Sequence, residues 1–160
     1  MSYLKAGDTV SGQEAVANMT IKNPDGTSSV ESMFYGKNLE AKCEINKTKV
    51  KTLGKRGEQN KPNGWAGTGT LNIYYITSIF RRMAIQYIKS GIPVYFDILV
   101  TNDDPGSSAG PQTTVLKNCT LNSVILAKFD VDAEVMDEDV DFTFDDADML
   151  DEFGRPILSV

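Results

Sequence analysis

Apolar and polar positions alternate along most of this chain, and the period changes once. Leu71, Ile73 and Tyr75 alternate with Thr70, Asn72 and Tyr74, the two-residue period of a strand. From residue 77 the period lengthens. Phe80, Met83, Ala84, Tyr87 and Ile88 fall at i, i+3, i+4, i+7 and i+8, one face of a helix, with Arg81, Arg82, Gln86 and Lys89 on the other side. Thr77 or Ser78 offers a capping oxygen, Gly91 supplies a left-handed stop, and Pro93 bars continuation. Residues 94–100 are β-branched and aromatic again. The pattern predicts strand, helix, strand over residues 64–101, with a helix at 77–90 that buries its apolar face on an otherwise β protein.

Elsewhere the period is two. Residues 15–22 read as a short strand, 23–26 (Asn-Pro-Asp-Gly) as a turn, and 30–35 as the next strand. Leu39, Ala41, Cys43 and Ile45 alternate with Glu40, Lys42, Glu44 and Asn46, then the phase breaks, which predicts a bulge near residues 46–48 in a strand running to Leu53. Residues 54–64 read as a polar loop, with three glycines and a proline, and its length is as consistent with a solvated connection as with a functional one. Residues 113–128 form a long β segment with mixed faces. Phe129, Val131, Ala133 and Val135 alternate with carboxylates, as do Val140, Phe142 and Phe144 beyond a turn at 137–139, which predicts a hairpin with an acidic face. Residues 1–14 read as an extended arm, 145–153 as a helical turn, and 154–160 as a tail. One domain over residues 1–160 is expected.

Composition narrows the chemistry. No apolar run approaches the ~20 residues of a membrane span, and no secretory signal opens the chain, so a cytoplasmic origin is expected. Cys43 and Cys119 have no metal spacing and read as buried free thiols. There is no histidine, which removes Ser–His–Asp and Cys–His catalysis and histidine metal sites. Net charge is −6, distributed unevenly: residues 1–129 hold 15 basic and 10 acidic side chains, residues 130–160 hold 1 and 12. Such polarity fits complementary surfaces on different copies of one chain.

The carboxylates after residue 130 do not follow the glycine-at-six, glutamate-at-twelve spacing of an EF-hand, and strand alternation explains their period. Gly64, Gly67 and Gly69 lack the third glycine of a dinucleotide loop and run into a strand. Seven cations between Lys42 and Lys61 have no interleaved aromatic before Trp65, unlike a single-strand nucleic-acid surface. Trp65 itself fits a core residue or an interface anchor. No catalytic, cofactor or metal residue is assigned.

The run TLGKRGEQNKPNGWAGTGTLNIYYITSIFRRMAIQYIKSG, then PVYFDILVTNDDP, then VDAEVMDEDVDFTFDD, resembles the core tail proteins of PBSX-like elements. These are tail tube proteins of contractile-tailed phages and phage-tail-like bacteriocins. The resemblance implies a mostly β, tail-tube-like sandwich or barrel with one flanking helix, and a structural role in the virion tail after assembly in the host cytoplasm. It implies hexameric rings stacked into a hollow tube that conducts DNA without binding it specifically. Neighbours share strands around the lumen, and partners are sheath, tape measure, baseplate and tail-terminator proteins, with no cofactor and no membrane. By the resemblance, the ring-to-ring contact falls on residues 54–64. With the charge pattern, this makes Gly54, Lys55, Arg56, Gly57, Lys61, Pro62 and Trp65 the expected contact. Asp130, Asp132, Glu134, Asp137, Glu138, Asp139 and Asp141 are the expected complementary acidic face. The alternative is a monomeric β-barrel enzyme or ligand-binding protein using carboxylates.

Overall fold

Among the described residues the chain forms eight strands and one helix, and the apolar faces of most of them meet over one core. The computed structural model describes residues 3–154. A 3₁₀ turn (Ala6–Asp8) precedes β1 (Ala15–Lys22), β2 (Ser28–Ser32), β3 (Gly36–Val50) and β4 (Gln59–Tyr74). Then come α1 (Ile79–Ser90), β5 (Tyr95–Asn102), β6 (Gln112–Ser123), β7 (Asp137–Phe144) and β8 (Asp146–Asp151). All pairings are antiparallel, in the order β2-β1-β5-β6-β7-β4-β3, with β8 also on β6.

The sheet folds over itself at β6. As far as Cys119 this strand pairs with β5; at Thr120 it turns to β7. The corner is made by Asn118, whose φ of 52° asparagine tolerates better than most residues, and whose N–H donates to Asp97 Oδ1 at 3.0 Å. At the same level the chain passes from β7 to β8, where the Asp145 N–H donates to the Lys117 carbonyl at 3.1 Å. The result is two layers, β2-β1-β5-β6-β8 and β6-β7-β4-β3, closed over one core. Met19, Ile21, Phe96 and Ile98 enter it from the first layer; Leu71, Ile73, Val140 and Phe142 enter from the second; Phe80 and Met83 enter from α1. Gly67 and Gly69 belong to this packing. A Cβ on either would lie 2.4 Å from Phe144 Cε2 or 2.3 Å from Phe142 Cζ, so their bare backbone seats those two rings.

Helix α1 starts at Ile79 and ends as its sequence directs. Gly91 sits at φ 73°, and its N–H donates to the Tyr87 carbonyl at 2.8 Å. Ser78 occupies the cap position but its side chain makes no cap hydrogen bond; the Thr77 hydroxyl accepts from Ile79 N–H at a long 3.4 Å. Only the first half of the helix is core. Tyr87 and Ile88 remain 55% and 66% exposed, because the layers beneath do not extend that far.

Other expectations are corrected. Residues 129–135 are irregular rather than a strand, and 137–139 open β7 rather than forming a turn. Residues 145–153 contain strand β8 rather than a helical turn. The loop at 54–64 is shorter: β4 begins at Gln59, and the connection is 51–58. The bulge expected near 46–48 does occur, but its extra residue, Asn63, is on β4, between the pairs Asn46↔Gly64 and Lys47↔Pro62. Cys43 is exposed, whereas Cys119 is fully buried and its thiol is pushed up to about 12, chiefly by desolvation.

The arm ahead of β1 docks on the β5–β6 connection. Ser11 N–H donates to Asp104 Oδ2 at 2.8 Å, and Ser108 N–H to the Gly7 carbonyl at 2.9 Å. Beyond Gly154, the expected tail lies outside the described residues.

Candidate functional site

The β3–β4 hairpin outruns the rest of its layer. β7 pairs with β4 only from Gly67 to Tyr74, so residues 59–66 of β4 pair with β3 alone. At ~3.3 Å per residue those eight residues project roughly 26 Å. Pro62 is tolerated because this stretch of β4 has no strand on its other side. The expected contact residues are therefore strung along an arm. Gly54, Lys55, Arg56 and Gly57 form the turn, with Gly54 at φ 86°; Lys61 and Pro62 lie in the shaft; Trp65 is at its base. Lys47, Lys49 and Lys51 add charge, with Lys49 lying 3.5 Å from Glu58 across the exposed hairpin.

The core-side face of the arm stays apolar where the core has ended. Ile45 and Trp65 pair across it at 57% and 46% exposure. The Trp65 ring lies 6.1 Å from that of Phe144, and Cys43, Pro62 and Gly64 complete an open hollow. Trp65 is thus neither of its two expected forms alone: one side rests on the last core ring and the other is bare.

The seven expected acidic residues separate into three groups. Asp130, Asp132 and Glu134 are exposed on the irregular segment before β7, at the end of the layer opposite the hairpin turn. That segment also bares Phe129, Val131 and Val135. Asp137, Asp139 and Asp141 stand on the outer face of β7, each with a partner. Lys37 Nζ donates to Asp137 at 2.9 Å, Asn72 to Asp139 at 2.7 Å, and the Thr70 hydroxyl to Asp141 at 3.0 Å. The hydrogen bond and charge of Lys37 hold the Asp137 carboxyl below its ordinary range.

Glu138 points the other way and is corrected: at 2% exposure it belongs to no surface. Arg81 Nη1 donates to its Oε2 at 2.6 Å, while Oε1 is buried without a partner. The guanidinium lies 4.3 Å over the Tyr75 ring and also donates to the Thr77 carbonyl. Burial raises the Glu138 carboxyl above its ordinary value, against the pull of Arg81 and, more weakly, Lys128. This pair ties α1 to β7. The alternation that put Arg81 on the solvent side of the helix gave no sign of it; a carboxylate at an inward position of β7, between Asp137 and Asp139, was the available clue.

Among the described residues, no group of three or more His, Cys, Asp or Glu is placed to hold a metal ion, and no helix is long and apolar enough to cross a membrane.

A family model described as "Phage tail tube protein" matches residues 2–151. The chain is similar to two proteins of Bacillus subtilis (strain 168), the phage-like element PBSX protein XkdM and the uncharacterized protein YqbM. Each is 36% identical over 146 residues, spanning 91% of this chain and 93% of the relative. Solved structures share the fold at low identity. The tube-terminating cap of the anti-feeding prophage superposes with a TM-score of 0.66 at 10% identity, covering 92% of this chain and 94% of that one. The SPP1 tail tube superposes with a TM-score of 0.62 at 11% identity, covering 91% and 81%.

Proposed function

Because the chain belongs to the phage tail tube protein family, a structural component of phage and phage-like tails, we propose that its copies form hexameric rings that stack through the β3–β4 hairpin into a hollow conduit for DNA. The observation that carries the stacking is the polarity of the β6-β7-β4-β3 layer. Its basic turn, with Lys55 and Arg56, and its acidic segment, with Asp130, Asp132 and Glu134, lie at opposite ends of the strands. Copies placed head to tail along the strand direction bring the two together. An exposed ion pair contributes only about 0–1 kcal/mol. The charges therefore set orientation and register, while apolar contacts and repetition around a ring supply affinity.

The outer face of the same layer lines the lumen in this reading. It presents Thr68, Thr70 and Asn72 of β4 beside Asp137, Asp139 and Asp141 of β7. Asp139 and Asp141, held by the neutral side chains of Asn72 and Thr70, repel phosphate, while Lys37 offsets the charge of Asp137, so DNA slides without being gripped. The role is structural and not enzymatic. Neighbours with this fold come from sheath–tube, baseplate and tube-terminator assemblies. This supports sheath, baseplate and terminator proteins as partners, with a tape measure protein in the lumen during assembly and the host cytoplasm as the place of assembly.

Replacing residues 51–58 with a two-residue Gly-Ser turn tests the stacking. The expected product is a folded subunit by circular dichroism that gives single rings but no tubes by electron microscopy. Tubes of normal length from that variant would remove the hairpin from the ring-to-ring contact.

A further inference from the structure

The bulge in the β3–β4 arm sets an asparagine–glycine step at an open point of the backbone. Asn63 is the extra residue on β4, between the pairs Asn46↔Gly64 and Lys47↔Pro62, so it faces no residue of β3. β7 joins β4 only from Gly67 onward, and both Asn63 and Gly64 are exposed. Gly64 sits at φ 146°, a conformation that other residues rarely adopt, and nothing lies within 4 Å of the position a Cβ would take. Of the asparagines in this sequence, only Asn63 precedes a glycine. Its side chain is oriented by a hydrogen bond across the arm, Asn63 Nδ2 donating to Thr48 Oγ1 at 2.5 Å.

We infer that Asn63–Gly64 is a site of spontaneous deamidation, and that its conversion limits how long an unassembled subunit can still enter a tube. The Gly64 backbone nitrogen attacks the side-chain carbonyl carbon of Asn63. A C–N bond forms to close a succinimide, the bond from that carbon to Nδ2 breaks, and Nδ2 leaves as ammonia with the proton from the Gly64 N–H. Water then opens the ring at either carbonyl and leaves aspartate or isoaspartate. The reacting groups are neighbours in one chain, so access and flexibility set the rate. A side chain at 64 would crowd the nucleophile, and pairing on both sides would hold nitrogen and carbon apart; this site has neither. The Asp25–Gly26 turn differs. Asp25 Oδ1 accepts from the Thr27 N–H at 2.9 Å and from its hydroxyl at 2.6 Å, which favour the ionised form, and a carboxylate offers no leaving group. The product at 63 spares the fold, because the core begins beyond it at Gly67 and the Thr48 hydroxyl can turn to donate to a carboxylate. The arm is altered more. Residues 47–64 hold six cations and one carboxylate, and conversion adds a second carboxylate close to Lys47 and Lys61. Isoaspartate also inserts a methylene into the backbone at the bulge that bends β4, which re-aims the shaft and the basic turn. The effect on assembly rests on the stacking reading above: in a tube the next ring covers the arm and holds it still, whereas in a free subunit the attack proceeds.

The unmodified chain supplies the test. Soluble subunits and tubes are separated by sedimentation, held at the same mildly alkaline pH, and sampled over days. Peptide mass mapping reads the exchange of amide for acid at each asparagine, and labelling by an isoaspartyl methyltransferase reads isoaspartate. Conversion should concentrate at Asn63, with isoaspartate the main product. In tubes it should run slower by about tenfold or more, since the arm must first come free. Aged soluble subunits should keep the parent circular dichroism spectrum and lose tube growth, as followed by light scattering. Asn63→Gln, whose longer side chain closes a ring far less readily, should stay competent through the same ageing. Conversion at Asn63 no faster than at Asn46 or Asn60 on the same arm overturns the inference and leaves the tube reading intact. Equal conversion in tubes and in soluble subunits removes the arm from the ring-to-ring contact, and the assembly limit falls together with that reading. Aged subunits that stack like fresh ones, or Asn63→Gln subunits that decay like the parent, overturn the assembly limit by themselves.

Discussion

Removing Arg81 should destabilise the subunit more than any surface change, because it strands a charge. Glu138 is 2% exposed, one of its carboxylate oxygens already lacks a partner, and among the described residues Arg81 supplies the only direct ion pair to the other. Breaking one side of a buried pair costs about 3–5 kcal/mol. The guanidinium also lies over the Tyr75 ring, a contact of about 0.5–2 kcal/mol that Arg81→Ala deletes. For a chain of this size, 1 kcal/mol moves the melting temperature by about 2–4 °C, so a loss of about 3–5 kcal/mol lowers it by roughly 6–20 °C. The pH dependence identifies the cause. The Glu138 carboxyl is raised in the folded state, so above its unfolded value of 4.5 the fold binds more protons than the unfolded chain, and stability falls as pH rises toward the folded value. Without Arg81 the carboxyl is raised further, and the window widens. Asp137 and Asp25, whose carboxyls are held low, contribute the opposite slope at lower pH. The comparison therefore needs Glu138→Gln as a second background. The assay is thermal unfolding by circular dichroism of the turn-shortened subunit, which avoids linkage to assembly. Arg81→Ala should lose less at pH 5 than at pH 7, and Glu138→Gln should abolish that difference. A loss under 1 kcal/mol at pH 7, or a pH effect that survives Glu138→Gln, would refute the reasoning.

Three further outcomes are expected. Phe80→Ala should cost about 3–5 kcal/mol in denaturant unfolding, as an aromatic ring lost from the core, while Lys89→Glu on the exposed side stays within about 0.5 kcal/mol; similar losses would contradict the burial of the first helical turns. Gly69→Ala should cost about 1–3 kcal/mol, since its Cβ would meet the Phe142 ring at 2.3 Å, and a neutral result would show that the ring is free to move. Reversing Lys55, Arg56 and Lys61 to glutamate should slow tube growth, most at low salt where like charges repel over the longest range, as read by light scattering; salt-independent growth would remove charge from the contact.

The segment from β4 through α1 to β5 was legible because three signals coincide there: an unbroken period of two, a switch to 3.6, and a glycine–proline stop. β1 was legible from its turn signal at Asn23–Gly26. What was not legible has physical causes. Residues 129–135 alternate like a strand, yet among the described residues they pair with no strand, so the alternation produces exposed apolar side chains instead. β8, with aspartate at three of its six positions, has almost no apolar face and exists because Asp145 turns the chain onto the free side of β6. Glycine and proline argued against strand at 59–64, but that stretch needs only one neighbour, and β3 supplies it. The carboxylates of 130–141 looked like one surface because spacing reveals which face a residue takes and not whether that face is buried; Glu138 was the exception.

Electron microscopy of the purified, unmodified protein, with sedimentation on the same sample, bears most directly on whether this fold builds a tube. Hollow rings stacked into tubes, sedimenting far above a 17.5 kDa chain, are the expected result, with six copies in each ring. A monodisperse monomer at every concentration, with a melting temperature raised by a small ligand, would contradict it and favour a carboxylate-based binding protein.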